Sequence, residues 1–93
     1  MDIEYDSAKR DQVLAERGLD MALCGKVFDG FHLTRPDDKH SDAEDRFTSV
    51  GTLGDSLVII VWAPRKDLRR IVTMWKANDQ ERQKFNEARQ RLG

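Results

Sequence analysis

The amino-acid sequence predicts an α+β fold, with a hairpin of two helices, a small antiparallel β-sheet and a C-terminal helix. Near the start of the chain, apolar residues recur at spacings of three and four, as on the buried face of a helix. Between residues 31 and 76 this pattern gives way to short β-branched and alternating runs that are separated by turn residues. The 93 residues, 39% of them hydrophobic, suffice for one core and are too few for two. We therefore expect a single domain over residues 1–93.

The first helix follows a short strand at residues 3–5. Asp6 or Ser7 can cap the helix, and Gly18 can end it in the left-handed conformation. The residues expected on its core side are Ala8, Val13 and Leu14.

Asp20 is expected to cap a second helix soon after the first. Asp29 and Gly30 end this helix, and the short linker between the helices predicts an αα-hairpin. The residues expected in its buried stripe are Leu23, Cys24, Val27 and Phe28.

The middle of the chain predicts three strands, at residues 31–34, 46–51 and 56–63. The segment 35–45 between the first two is a polar loop that begins near a proline. Residues 56–63 are β-branched and apolar on both faces, which is typical of a central strand. Because tight turns join successive strands, we expect antiparallel pairing.

A fourth strand is predicted around Ile71, Val72 and Thr73, three β-branched residues in a row. Strict alternation would place Ile71, Thr73 and Trp75 on one face, and Val72 with Met74 on the core face. Trp75 then has two interpretations. It stacks on an RNA base if its face is the substrate side, or it is buried against the last helix.

The last helix begins at a capping box, in which Asn78 and Glu81 satisfy each other's backbone N–H groups. Its apolar stripe is narrow, with only Phe85, Ala88 and Leu92. Such a helix packs lightly on its own domain or bridges to another surface.

Composition excludes several classes of protein. Cys24 is the only cysteine, so no intramolecular disulfide or cysteine-based zinc site is expected. Its position in the apolar stripe of a helix indicates a core residue rather than a nucleophile. The apolar run at residues 57–63 is far shorter than the roughly 20 residues of a membrane helix. The acidic start does not resemble a signal peptide. We expect a soluble cytoplasmic protein that contacts no membrane.

Charge is distributed unevenly along the chain. Residues 1–45 contain 12 acidic and 6 basic side chains, whereas residues 46–93 contain 5 and 10. The turn between the last two strands should bring Arg65, Arg69 and Arg70 to one edge of the sheet. Arginines beside an aromatic side chain suit binding of single-stranded nucleic acid. The alternative is that these basic residues are only the solvated ends of strands, which would give the same number of charges. The basic residues at strand ends are Arg46, Arg65, Lys66, Arg69, Arg70 and Lys76.

The segment HSDAEDRF (residues 40–47) brings together groups that can transfer protons and bind phosphate. His40 exchanges protons near pH 7, and Glu44 can orient it or act as a base. Arg46 can bind a phosphate with two N–H groups. The alternative is an ordinary acidic loop with a surface histidine.

The landmarks of the whole chain resemble those of the BrnT family, small bacterial toxins of type II toxin–antitoxin systems. The similarity covers roughly residues 2–85 and includes the segments IEYDSAKRDQVLAERGLD, VFDGF, HSDAEDRFTSVG, LVIIVWAPR and RRIVTMWKA. In the last strand the family usually has Ser-Ala-Arg where this chain has Thr73, Met74 and Trp75.

The resemblance implies a fold like that of the RelE toxins, a ribonuclease activity that arrests translation, and inhibition by an antitoxin of the BrnA type. That antitoxin would be a ribbon-helix-helix protein, and the toxin would reach operator DNA only through it. By motif match, the resemblance implies functional roles for Glu44, Arg46, Arg65 and Lys76.

A metal-free cleavage needs a base, cations for the phosphorane and an acid for the leaving oxygen. We expect Glu44 or His40 as the base and His40 or Lys76 as the acid. Because the carboxylates crowd into one loop, no metal and no cofactor are expected. The rival is a degenerate toxin or a plain binding module that acts with its antitoxin in autoregulation. The residues expected to hold phosphate are Arg46, Arg65 and Arg70, and those expected to contact RNA are Arg69, Thr73 and Trp75.

Overall fold

The computed structural model describes residues 2–37 and 45–92 and confirms the α+β class. The sheet has the strand order β1-β5-β4-β3-β2, so the strand predicted to be central lies in the middle. The elements are β1 (Asp2–Tyr5), α1 (Ser7–Arg17), a 3₁₀ turn (Met21–Leu23), α2 (Cys24–Asp29), β2 (His32–Pro36), β3 (Phe47–Leu53), β4 (Ser56–Arg65), β5 (Leu68–Lys76) and α3 (Asp79–Leu92).

The sheet is mixed, because one strand pairs in parallel. Strands β2 to β5 form the expected antiparallel meander. Strand β1 joins β5 in parallel, from Asp2 opposite Leu68 to Tyr5 opposite Ile71. The antiparallel expectation applies to strands joined by tight turns. Two helices separate β1 from the next strand, so no tight turn determines the direction in which β1 pairs.

The helical hairpin forms where the caps predict it. The Asp6 side chain accepts from the Lys9 backbone N–H at 3.1 Å, and Gly18 ends α1 with a φ of 69°. Of the three residues expected on the core side of α1, only Val13 is buried, whereas Leu14 is 38% exposed and Ala8 is also exposed. The helix therefore contacts the core along a narrower stripe than its sequence predicts.

Asp20 caps the second helical segment, as predicted, by accepting from the Ala22 N–H at 2.9 Å. The segment starts with a 3₁₀ turn, in which side chains three residues apart lie above one another. Met21 and Cys24 are consequently both fully buried. The prediction for Leu23 is wrong, since it is 37% exposed.

The core lies on both faces of the sheet. We call the face under α1 and α2 the α1/α2 face, and the opposite one the α3 face. The main cluster, on the α1/α2 face, joins Val13, Met21 and Val27 of the helical hairpin to the sheet. The smaller cluster, on the α3 face, contains Leu57, Ile59, Ala77 and Phe85, with Leu33, Val50 and Trp75 packed against it.

A β-bulge in β5 changes which residues face the core. The register shifts so that Val61 pairs with Thr73 whereas Trp62 pairs with Ile71, which leaves Val72 as the extra residue. Ile71 therefore faces the main core, and the prediction that Val72 shares that face with Met74 is wrong. Strict alternation fails because one inserted residue reverses the side on which all preceding side chains lie.

The last helix begins at the predicted capping box. The Asn78 Oδ1 accepts from the Glu81 N–H at 2.8 Å, and the Asn78 N–H donates to Glu81 Oε1 at 2.9 Å. Phe85 is 5% exposed and contacts the sheet, whereas Leu92 is 69% exposed. As its narrow stripe predicts, α3 packs lightly on the domain.

Candidate functional site

A row of four apolar side chains crosses the α3 face from strand to strand. Leu33 pairs with Val50, Val50 with Ile59, and Ile59 with Trp75. Trp75 is half-buried and packs against the cluster that contains Phe85. Part of its surface is thus used in packing, as one interpretation predicts, while it also contributes to the wall of a cavity.

This cavity of about 490 Å³ lies above the row, between the sheet and α3. Apolar side chains of the row form its floor, and charged side chains from β2 and α3 stand at its rim. The lining residues are Leu33, Thr34, Arg35, Pro36, Asp37, Thr48, Val50, Ile59, Trp75, Glu81, Lys84 and Phe85.

All three predicted phosphate-binding residues lie at one end of the sheet, which we call the arginine corner: Arg46, Arg65 and Arg70. Arg70 lies opposite Ala63 on β4, two residues before Arg65. Arg46 immediately precedes Phe47, which pairs with Trp62 on the same stretch of β4. Because neighbouring strands are about 5 Å apart, three successive strands bring these arginines together.

One member of the arginine corner is partly neutralised. The Arg70 Nη1 lies 3.5 Å from Glu4 Oε1, and each side chain is 38% exposed. The pair joins β1 to β5 at directly opposed positions of their parallel register. Arg70 therefore adds less positive potential to the corner than its formal charge suggests.

Arg69 lies on the other face. Its guanidinium carbon is 4.0 Å from the centre of the Phe28 ring and 5.0 Å from that of Trp62. Burial lowers its pKa, and its buried Nε has no hydrogen-bond partner among residues 2–37 and 45–92. The strand that carries both arginines thus separates Arg69 from the arginine corner, although sequence proximity predicts one shared surface.

The ring of Trp62 that faces Arg69 is itself fixed. Its Nε1–H donates to Ser49 Oγ at 2.8 Å, and Ser49 Oγ also lies 2.7 Å from Thr34 Oγ1. Phe47 stacks on Trp62 with 5.1 Å between ring centres. Arg69 consequently packs against a rigid aromatic group.

Lys76 is not brought to the arginine corner. It pairs with Val58 at the end of β5 that is distant from Leu68, and the rise of a strand places it about 26 Å from that end. Thr73 lies between, and its Oγ1 accepts from Arg17 Nη1 at 3.1 Å. Of the two expected RNA contacts on the α3 face, Thr73 thus already has a protein partner.

His40 and Glu44, the predicted proton-transfer groups, lie outside the described residues. The described residues on either side of them are close together, because the Asp37 N–H donates to the Arg46 carbonyl at 2.9 Å.

Cys24 is a core residue, as predicted. It is fully buried, its Sγ lies 3.8 Å from Met74 Sδ, and burial raises the pKa of its thiol to about 12. A thiol of that pKa is almost entirely protonated near neutral pH and cannot act as a nucleophile. Within residues 2–37 and 45–92, no three His, Cys, Asp or Glu side chains are grouped as metal ligands, and no helix has the length and apolar character to span a membrane.

The fold adds three residues to these surfaces that are not among the predicted site residues. Arg35 belongs to β2 rather than to a loop and shares a face with Leu33; extending the alternation of residues 31–34 by one residue would have found it. Lys84 lies at the rim of the cavity, and Glu4 pairs with Arg70 at the arginine corner. No local pattern signals either role, since both arise from contacts between segments distant in sequence.

These features define a small α+β protein with a cationic corner and an adjoining cavity on one face of its sheet. Residues 5–81 match the family of BrnT, described as the ribonuclease toxin of type II toxin–antitoxin systems. The match covers most of the chain, and the protein belongs to this family. A toxin of a type II system has a protein antitoxin as its partner. No protein among those with curated functions matches the chain.

Proposed function

We propose that this protein is a metal-independent endoribonuclease that binds the scissile phosphate of RNA at the arginine corner. The observation that carries the proposal is the meeting of Arg46, Arg65 and Arg70 from three successive strands at one end of the sheet. Guanidinium groups bind phosphate oxygens with paired N–H donors and stabilise the negative charge of a phosphorane. Membership of a ribonuclease toxin family supports this choice of substrate.

The reaction would use the 2′-hydroxyl as the nucleophile. A base removes its proton, the oxygen attacks the phosphorus, and an acid protonates the leaving 5′-oxygen. We assign the base to Glu44 and the acid to His40, because both belong to the segment that begins and ends beside Arg46. The distance along β5 favours His40 over Lys76 as the acid.

The RNA strand would follow the α3 face. Thr73 and Trp75 lie on this face, so we keep both as RNA contacts. Thr73 accepts a hydrogen bond from Arg17 and would contact the RNA from the edge of the sheet. We leave Arg69 out of the RNA surface, since its guanidinium packs on Phe28 and Trp62 on the opposite side. We assign it a structural role.

The partner would be a BrnA-type ribbon-helix-helix antitoxin that neutralises the toxin in the cytoplasm, where RNA is the substrate. Operator DNA would be bound through that antitoxin. A second function is favoured by one observation, the ion pair of Arg70 with Glu4. This ion pair reduces the positive charge of the corner, and Trp75 stands where the family usually has arginine. Both features suit a module that binds RNA or the antitoxin without cleaving RNA and that acts in autoregulation.

Cleavage of RNA by the purified protein in excess EDTA tests the proposal. We expect cleavage to be lost in Arg46→Ala and Glu44→Gln and retained in Arg91→Ala, which removes an exposed arginine of α3. Induction without antitoxin should arrest growth for wild type and Arg91→Ala only. Full toxicity of both Arg46→Ala and Glu44→Gln would place the active site elsewhere. Tight RNA binding without cleavage by the wild-type protein would favour the second function.

A further inference from the structure

We propose that the cavity between the sheet and α3 is a nucleobase subsite, in which one unpaired base of the RNA strand stacks on Trp75. This inference deepens the proposed function, because it assigns substrate recognition to a surface distinct from the arginine corner. The cavity is of the size that small ligands occupy. Its apolar floor and charged rim match a flat base attached to a charged backbone.

Trp75, in the wall of the cavity, supplies the surface for the base. Ile59 is 3% exposed and Phe85 is 5% exposed, so the sheet and α3 are well packed below the cavity. Trp75 is only half-buried and contributes to the wall. An aromatic ring fixed on one side and accessible on the other is what base stacking requires, and every nucleobase offers a matching face.

The charge of the rim favours a nucleic acid as the occupant. Arg35 and Lys84 are both exposed at the rim. The two carboxylates of the lining equal these cations in number but are less exposed, because Glu81 is partly buried and Asp37 is only 8% exposed. The accessible charge beside the apolar floor is therefore positive, as a phosphate neighbour requires.

The cavity is continuous with the arginine corner. Asp37 belongs to its lining, and the Asp37 N–H donates to the Arg46 carbonyl. Along β4, Ile59 in the floor and Ala63 opposite Arg70 are separated by four residues, about 13 Å. A single RNA strand can therefore contact both surfaces at once, with its phosphate at the corner and a nearby base against Trp75.

The experiment uses oligodeoxynucleotides of different base composition, which lack the 2′-hydroxyl that metal-free cleavage needs and are therefore bound without being cut. The chain has two tryptophans, so Trp62→Phe leaves Trp75 as the single tryptophan, which is excited selectively at wavelengths where tyrosine does not absorb. We expect stacking to quench its fluorescence as the oligonucleotide is titrated. Trp75→Phe in the wild-type background should retain binding within about threefold, whereas Trp75→Leu, which keeps apolar bulk, should weaken it about tenfold or more.

Two further variants separate stacking from general effects. Phe31→Leu is the matched control, because Phe31 contacts Phe85 at 5.7 Å between ring centres but is not part of the cavity lining. It should leave oligonucleotide binding unchanged. Arg35 is exposed at the rim of the cavity. Arg35→Gln should reduce the salt slope of binding by about 0.7, the value for one lost phosphate contact on a single strand.

Each remaining outcome decides the inference. Unchanged oligonucleotide binding and unchanged KM for RNA in Trp75→Leu would overturn the subsite and leave the proposed ribonuclease standing. Quenching of Trp75 without any RNA cleavage by the wild type would support the subsite and overturn the ribonuclease. Loss of antitoxin binding with intact oligonucleotide binding in Trp75→Leu would identify a protein pocket instead. If Trp75→Leu fails to fold, an unchanged salt slope in Arg35→Gln overturns the proposal.

Discussion

The Arg69 guanidinium carbon lies 4.0 Å from the centre of the Phe28 ring and joins β5 to α2 across the α1/α2 face. Desolvated cation–π contacts of this kind contribute about 1 to 2 kcal/mol. We expect Arg69→Ala to lower the free energy of unfolding by about that amount. Arg70→Ala, which removes an exposed ion pair with Glu4, should cost less than about 1 kcal/mol. Urea denaturation at pH 7 measures both. Equal costs would mean that the ring contacts of Arg69 contribute little.

Removal of the Glu4 carboxylate should strengthen the arginine corner. Glu4→Gln leaves the Arg70 charge uncompensated, so we expect RNA to bind about threefold more tightly at low ionic strength, with the difference shrinking as salt screens the charge. Glu16→Gln, on the exposed side of α1, is the matched control. Filter binding across a salt series measures the effect. An identical gain in the control variant would assign it to net charge rather than to the corner.

Gly51 should be intolerant of a side chain because α2 packs directly on it. A Cβ at this position would lie 2.7 Å from Val27 Cγ1 and 3.3 Å from the Phe31 carbonyl oxygen. Such overpacking costs about 1 to 3 kcal/mol, so Gly51→Ala should lower the melting temperature. Gly25→Ala is the control, since no atom in the described part of the chain lies within 4 Å of its Cβ position and alanine favours the helix. Thermal denaturation of both variants tests the contact.

The pair of Arg10 with Asp20 should make stability dependent on pH in the acid range. The hydrogen bond from Arg10, together with the Ala22 N–H, holds the pKa of Asp20 at about 2, below its ordinary value of 3.8. A depressed pKa stabilises the fold above the unfolded-state value, and that stability is lost as the pH falls through the folded-state value. We expect the difference in melting temperature between wild type and Asp20→Asn to shrink between pH 5 and pH 2. Asparagine keeps the cap, so a pH-independent difference would contradict the role of the charge.

Local signals were sufficient for most of the secondary structure. Asp6, Asp20 and Asn78 cap helical segments where their side chains predict. The apolar run of β4 identifies the central strand, since burial on both faces leaves no alternation. Each of these inferences depends on residues within a few positions of one another, and that is why the sequence alone reveals them.

The rest depends on contacts between distant segments. The bulge at Val72 is fixed by how β5 meets β4, and no residue in RRIVTMW marks it. The partners of Arg69 and Arg70 come from α2, β4 and β1, so two adjacent arginines take different roles. The family resemblance implies a role for Lys76 beside Arg46 and Arg65, but the length of β5 separates it from the arginine corner.

The parallel pairing of β1 with β5 has a consequence for folding. Ile3 is paired with Arg69, so the first strand can complete the sheet only after nearly all of the chain has been synthesised and a long loop has been closed. The meander β2 to β5 needs only short loops, and contacts of low sequence separation form faster. The edge that brings Glu4 to Arg70 is therefore expected to form last. On this order of events, a folding chain would have its arginines on the sheet while the Glu4 carboxylate that pairs with Arg70 is still unpaired.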